Sequence, residues 1–390
     1  MRGIRWLSLV PDSGYGNAAQ TYLSGIVATR TPVSWTPLGW PSERWASNYG
    51  PITNLNPEKY QHGNIINIDI DHEVVVVHSM PTWHERLAEE AEGKKLVAFT
   101  TWETDRLPDA SVAILNRYDQ VVVPSRFNAD VFRASGVVPP IAVVPHIAVP
   151  VDPKSLSKPG EKRTGTFTFY VIATWIARKA ILETVSAYLE AFSDSDDVVL
   201  VIQTGPVDLI AQFRRRQANL WSSSPEEATW FTLANALSGR TKVPKIVLST
   251  RHLDQEGVDE LHRRGDCYVS LSRGEGWGLG AFEAAAFGNP SVVTGWGATP
   301  EFLPDHYPYL AEYDLVPTTS DETDAWRTPE QGEYWAKVRR AHAVTLLRQI
   351  YENRDEAREW GRTCRGAVLE NYASERITKR LLEALAPASR

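Results

Sequence analysis

The residues with the richest chemistry fall in one run, Arg273-Gly-Glu275-Gly276-Trp277-Gly278-Leu279-Gly-Ala-Phe-Glu283-Ala-Ala-Ala-Phe-Gly288-Asn-Pro290. The apolar stretch Tyr268 to Leu271 precedes it and the small residues Ala284, Ala285 and Ala286 sit inside it. That order predicts a strand, a glycine turn and a helix start. Glycines let the backbone approach a ligand closely, and the N–H groups of a helix start favour an anion. A phosphate is the first ligand such a turn suggests. Glu275 and Glu283, separated by seven residues, flank it. Two carboxylates beside an anion are costly unless they meet hydroxyl donors. Polyols supply these, a ribose at one end and a hexose at the other.

Five smaller sets of polar residues stand at similar positions. Ala173-Thr174-Trp-Ile-Ala-Arg178-Lys179 follows a predicted strand, where fixed cations would stabilise charge building on a phosphate. Pro11-Asp12-Ser13-Gly14-Tyr15-Gly16-Asn17 reads either as a ligand loop or as a tight turn between strand and helix. Trp102, Glu103 and Asp105 close another strand, at the end where open parallel sheets bind ligands. An ion pair between these acids and Arg106 is the structural alternative. His78 ends the run Val74 to Val77, where it either orients a substrate hydroxyl or is satisfied within the fold. Arg251 and His252 follow the strand Ile246 to Ser249.

The elements that must carry these groups alternate. Apolar runs at Ile4–Val10, Val33–Leu38, Ile65–Ile70, Val74–Val77, Leu96–Thr100, Gln120–Val123 and Ile141–Val144 predict strands. Amphipathic stretches at Asn17–Ile26, Trp83–Ala91 and Asn128–Ala134 predict helices between them. This is the rhythm of βα units and a parallel sheet. Pro145 to Thr166 reads as a linker, after which the pattern restarts: strand Phe167–Ala173, helix Ala177–Phe192, strand Val198–Gln203. Further strands are predicted at Ile246–Ser249, Cys267–Leu271 and Ser291–Thr294. Residues 206–245 form an insertion in which Trp221 and Trp230 are expected to pack, and the tail from Gly332 to Arg390 reads as consecutive helices.

Composition limits the class. The chain has 390 residues, 43% of them hydrophobic, enough for two or three domains at about 150 residues each. Only two cysteines, Cys267 and Cys364, are present, which points to a reducing, cytoplasmic setting. No stretch approaches the roughly 18 apolar residues of a membrane span. The net charge of −7 disfavours a nucleic-acid partner, although Arg214, Arg215 and Arg216 are consecutive.

The glycine run with its two acids resembles the E-x7-E motif of retaining GT-B glycosyltransferases, the glycosyltransferase family four group. Val123-Pro-Ser125-Arg-Phe-Asn-Ala-Asp130, Val144-Pro145-His146, Val292-Val-Thr294-Gly-Trp-Gly297 and Glu301-Phe-Leu extend the resemblance along most of the chain. It implies an α/β GT-B fold, two Rossmann-like lobes facing each other across a cleft. Residues 1–148, with a crossover helix at 374–390, would form the acceptor-side lobe. Residues 149–373 would form the nucleotide-sugar lobe. Glu275 would hold donor hexose hydroxyls, the backbone N–H groups of Gly276, Trp277, Gly278 and Leu279 the diphosphate, and Glu283 the ribose.

By the same resemblance Lys179 would be a catalytic cation, and Arg178 would either stand in for a family arginine whose place Thr174 occupies or only face solvent. His78 is a further catalytic candidate. Gly14, Tyr15, Gly16 and Arg251 fall on the donor side, and Trp102, Glu103 and Asp105 on the acceptor side. The implied donor is a nucleotide diphosphate sugar, a UDP-sugar foremost, with no cofactor or metal required. The acceptor class stays open: glycan, small glycoside, protein or a modified base in DNA. An epimerase or hydrolase, or a non-catalytic nucleotide-sugar binder, are the alternatives on the same fold.

Overall fold

The structure, a computed structural model, describes residues 1–11, 13–39, 50–52, 55–87, 93–149, 151, 165–205, 225–318 and 332–386. The chain divides into two compact units. One comprises residues 1–102, 106–149 and 371–390, the other 103–105 and 150–370. The predicted linker core 152–164, Arg214 to Arg216 and Trp221 lie outside the described residues.

The first unit is built on a sheet ordered β3-β2-β1-β4-β5-β6-β7. In chain order these are β1 (Ile4–Leu9), β2 (Val33–Gly39), β3 (Gly50–Pro51), β4 (Val74–His78), β5 (Lys95–Phe99), β6 (Gln120–Val123) and β7 (Ile141–Val143). All pairs are parallel except β2–β3. Helices α1 (Gly14–Ala28), α2 (His84–Leu87), α3 (Asp109–Leu115) and α4 (Arg126–Ala134) connect them. β4 is buried along its whole length, as a four-valine strand must be when helices cover both sheet faces.

Two serines set the helix starts in this unit. Ser13 Oγ accepts from Gly16 N at 3.1 Å and Ser125 Oγ from Asn128 N at 3.0 Å, each satisfying a donor the helix cannot. The C-terminal helix Ser374–Leu385 packs Ile377, Leu381 and Leu385 into the same core as Trp6, Tyr22, Trp35 and Phe99. Ile65–Ile70 is not the predicted strand. It forms a short 3-10 turn and a single bridge from Ile66 to Trp35, because Asn67 turns the backbone to φ +49°.

The second unit has a parallel sheet ordered β10-β9-β8-β11-β12-β13. Its strands are β8 (Phe167–Ile172), β9 (Val198–Gln203), β10 (Lys245–Ser249), β11 (Cys267–Ser270), β12 (Ser291–Thr294) and β13 (Leu310–Ala311). The helices are α5 (Ile181–Ala191), α6 (Pro225–Leu237), α7 (Gln255–Arg264), α8 (Leu279–Phe287), α9 (Arg340–Glu352) and α10 (Arg354–Asn371).

Three expectations change here. The helix predicted from Ala177 is a 3-10 turn over Ala177–Lys179, then a break at Ala180, φ +49°, before α5 begins. The tail does not start as a helix. Tyr334–Val338 is a strand, β15, paired antiparallel with β14 (Tyr313–Pro317). Trp335 and Val338 happen to stand at helical spacing, and their partner strand is too distant in sequence to show in periodicity. Trp230 is 48% exposed rather than packed: the buried line of α6 runs through Thr229 and Leu233, one turn apart, and Trp230 stands about 100° off it.

Candidate active site

In an open α/β sheet, ligands gather beyond the carboxyl ends of the strands where the strand order reverses. In the second unit that point lies between β8 and β11. The chain runs outward from β8 to β9 and β10, then returns to place β11 on the other side of β8. The loops leaving β8 and β11 carry Arg178 with Lys179, and Glu275. Topology alone therefore brings these residues together.

The Glu275 carboxylate is 13% exposed and held by two cations. Lys179 Nζ lies 2.6 Å from Oε1 and Arg178 Nη1 lies 3.3 Å from Oε2. Burial alone would raise the carboxyl pKa, but the charges of Lys179 and Arg178 outweigh it and hold the group below its ordinary value. Arg178 does not face solvent. Its Nη1 also donates to Gly274 O at 2.8 Å, and its Nη2 lies 3.6 Å from Glu103 Oε1.

The loop carrying Glu275 is fixed from several sides. Arg273 N donates to Arg178 O at 2.7 Å, Ala298 N to Glu275 O at 3.0 Å and Ala336 N to Arg273 O at 2.8 Å. Arg273 pairs with Glu183 at 2.7 Å and lies over the Trp335 ring. Gly274 is required by close approach, since a Cβ there would stand 1.9 Å from Glu103 O.

Gly278 caps α8 at φ +93°, with no side-chain cap hydrogen bond and no acidic residue in the first turn. The helix start keeps amide donors and a partial positive charge for an anion. Trp277 itself is buried against Phe282 and Phe302, so only its backbone faces the turn. Glu283 stands one turn into α8, its side chain 30% exposed, with Oε2 3.6 Å from His262 Nε2. The Tyr268 phenol is pushed up by burial and then by the charges of Glu275 and Glu283. Arg251 is exposed, and its carbonyl accepts from Gln203 Nε2 at 2.7 Å.

The acceptor-side candidates separate. Trp102 is buried in the first unit, its indole N–H donating to Arg106 O at 2.7 Å. Glu103 and Asp105 belong to the second unit. Glu103 faces Arg178, while Asp105 Oδ1 accepts from Tyr334 N at 2.7 Å and Asp105 N donates to Tyr334 O at 3.1 Å. Arg106 pairs with Asp109 at 3.0 Å.

In the first unit the strand order reverses between β1 and β4, and His78 and Gly14–Gly16, which form the first turn of α1 rather than a loop, stand at that reversal. Gly16 allows close packing, since a Cβ there would meet Val10 O at 1.8 Å. Tyr15 Oη donates to Thr101 O at 3.2 Å. His78 is 2% exposed and stacked on Phe99 at 4.4 Å, with Trp6, Tyr15 and Tyr22 edge-on. Burial first, then His146 and His84, lowers its pKa well below the usual imidazole range, so it is neutral at pH 7.

His262, which faces Glu283, and its partner Tyr170 lie outside the motif, and Asn289, inside it, carries no role there. His262 reads in sequence only as one more polar residue of a charged helix end, and Tyr170 as a core aromatic.

Among solved structures, the chain is similar to the sucrose-phosphate synthase of Thermosynechococcus elongatus, with a TM-score of 0.65 at 14% identity over 98% of each chain. It is likewise similar to the trehalose 6-phosphate synthase of Burkholderia multivorans, TM-score 0.63 at 12% identity over 98% of this chain and 96% of that one. The pneumococcal O-GlcNAc transferase GtfA, in complex with UDP and GlcNAc, matches with a TM-score of 0.53 at 16% identity over 80% of this chain. This chain spans 56% of the length of GtfA. No family model matches, and no curated protein matches. The architecture is the GT-B fold that these glycosyltransferases share.

Proposed function

We propose that the chain is a retaining glycosyltransferase that moves a sugar from a nucleotide diphosphate sugar to an acceptor hydroxyl. One observation carries the reading. A carboxylate clamped by a lysine and an arginine stands at the sheet's reversal point, on the loop that runs into a helix start without a side-chain cap. Such a pocket suits a polyol joined to a diphosphate, because the acid accepts hydroxyl hydrogens while amides and cations meet phosphate oxygens. Glu275 takes the hexose, Gly276 to Leu279 and Lys179 the diphosphate, and Glu283 the ribose. The uridine nucleotide bound to GtfA makes UDP-sugars the donors to test first.

In the step itself the C1–O bond to the β-phosphate breaks and a bond from C1 to the acceptor oxygen forms on the same face. The acceptor proton passes to the departing phosphate oxygen, so no side-chain nucleophile is needed. Lys179 and Arg178 absorb the charge gathering on the leaving group, the role a metal ion fills elsewhere. Arg178 takes the family arginine's place from a different position, steadied by Glu103. Full activity in EDTA is expected, in a reducing cytoplasmic setting.

The test is a screen of nucleotide diphosphate sugars with acceptor extracts, followed by anomeric analysis of the product. Glu275→Ala is expected to lower kcat by about 10²-fold or more while nucleotide binding survives. Donor turnover that ignores the acceptor would move the assignment to a hydrolase or epimerase. An inverted product would overturn the mechanism.

A further inference from the structure

Behind Glu283 runs a buried chain of polar groups that the transfer step does not use. The His262 side chain, in the last turn of α7, is fully buried. Its ring stacks on Phe287 (centroids 5.1 Å apart, planes at 20°) and meets Tyr170 edge-on. Nδ1 lies 2.8 Å from Tyr170 Oη. Nε2 makes no hydrogen bond and points toward Glu283 Oε2 at 3.6 Å. Asn289 Nδ2 lies 2.6 Å from the His262 carbonyl oxygen and 2.8 Å from Tyr170 Oη.

Donor and acceptor counting orders this chain. The His262 carbonyl can only accept, so the Asn289 atom beside it is the amide nitrogen. The same NH₂ group donates its second hydrogen to the Tyr170 oxygen. With the phenol hydrogen directed to Nδ1, the ring carries a proton on Nε2. The other tautomer would set an imidazole lone pair against the Glu283 carboxylate. Asn289, Tyr170 and His262 thus present a buried N–H donor to Glu283.

We infer that His262 is a positioning residue for Glu283, an inference that rests on the reading of Glu283 as the ribose acid. A carboxylate has about four lone-pair sites. With the Nε2–H dipole facing Oε2 from behind at 3.6 Å, the carboxylate is drawn toward it electrostatically, and its outward lone pairs are presented to the two hydroxyls of a ribose. The pair thereby makes the site selective for ribonucleotides over 2′-deoxyribonucleotides. A site built to hydrogen-bond a hydroxyl leaves its own polar groups unsatisfied when that hydroxyl is missing.

The experiment is calorimetric titration of the full chain with UDP, GDP and ADP, then with the 2′-deoxy counterpart of whichever binds. The wild-type protein is expected to prefer the ribonucleotide by about tenfold or more, as loss of a hydrogen bond to a charged group implies. His262→Phe keeps the ring packing and removes the donor, so the preference should fall to within about threefold of unity. His262→Gln, whose amide can donate, should recover most of it. Tyr170→Phe frees the tautomer and should fall between.

His262→Phe retaining the wild-type preference would overturn the inference, even if its overall affinity drops. Should that variant fail to fold, Tyr170→Phe with undiminished preference does the same. A wild-type protein that binds a ribonucleotide and its deoxy form equally overturns the role of His262 and leaves glycosyl transfer standing. Binding of none of the three nucleotides overturns both.

Discussion

At the scale of single residues, the role proposed for Glu275 rests on its ionisation. Its carboxylate stays charged in a largely buried place because Lys179 and Arg178 offset the burial. Removing one partner of a buried pair leaves a charge uncompensated, which the group relieves by taking up a proton. In Lys179→Met, Glu275 is therefore expected to titrate higher than in the wild type. The acid limb of kcat/KM, expected below the ordinary carboxylate range in the wild type, should move upward, and kcat should fall about 10²-fold or more. A pH–rate profile from pH 4 to 8 checks both. A limb that stays in place would mean that Lys179 does not govern Glu275.

The two acids and the paired cations were legible from residue type and spacing alone. The pairing of Arg178 with Glu103 was not, because 75 residues separate them and only the tertiary fold brings the 103–105 segment onto the glycine loop. The same holds for His262, which reaches Glu283 from the preceding helix.

At the scale of elements, the strands and helices that carry the site were readable because their patterns are local. Four consecutive valines in β4 and the Ser13 and Ser125 caps need no distant partner to be recognised. β15 was misread as helix for the opposite reason, since its hydrogen bonds go to β14, across a segment that carries no periodic signal. The docking of the C-terminal helix on α1 shows how a tertiary contact fixes an element. A Cβ at Gly25 would stand 2.0 Å from Thr378 Oγ1 and 3.2 Å from its Cβ, so the two backbones approach over a glycine. Lys95 Nζ then donates to the carbonyls of Ala384, Leu385 and Ala386 at 3.2, 3.3 and 2.9 Å. This satisfies the helix end and places a positive charge at its negative pole.

Gly25→Ala gains about 1 kcal/mol of helix propensity but meets a close contact that overpacking data put at 1–3 kcal/mol. A net loss of about 1 kcal/mol is expected in urea unfolding. Adding Thr378→Ala should restore most of it, because the closest obstructing atom, Oγ1, is gone and only the Cβ contact at 3.2 Å stays. A double variant no more stable than Gly25→Ala would show that the helices meet elsewhere.

At the scale of the whole molecule, the fold class followed from the repeated strand–helix rhythm, and the two sheets have the order reversals that put their ligand-facing loops at β1/β4 and β8/β11. The first unit keeps its reversal point full of buried imidazoles, and this sets a global property. Burial lowers His84 to about 4, offset in part by its hydrogen bond to Ser79, lowers His146 to about 3, and holds His78 well below its usual range.

In the unfolded chain these rings take up protons near pH 6.5. Between that pH and about 4 the unfolded state therefore binds more protons than the folded one. The stability these residues contribute is complete above pH 6.5 and is lost as the pH falls, by about 1.4 kcal/mol per pH unit for each fully differing histidine. The carboxylates with lowered values, Glu275 and Asp196 among them, act in the same direction only below their ordinary values of 4.5 and 3.8, so the window from pH 6.5 to 5 belongs to the histidines. The midpoint of thermal unfolding should drop clearly from pH 7 to pH 5. His146→Asn, which keeps a polar partner for Tyr22 Oη but cannot take up a proton, should flatten that drop. A wild-type midpoint unchanged across that window would mean that the imidazoles are not held neutral, and would remove the packed aromatic nest around His78 as the reason for their burial.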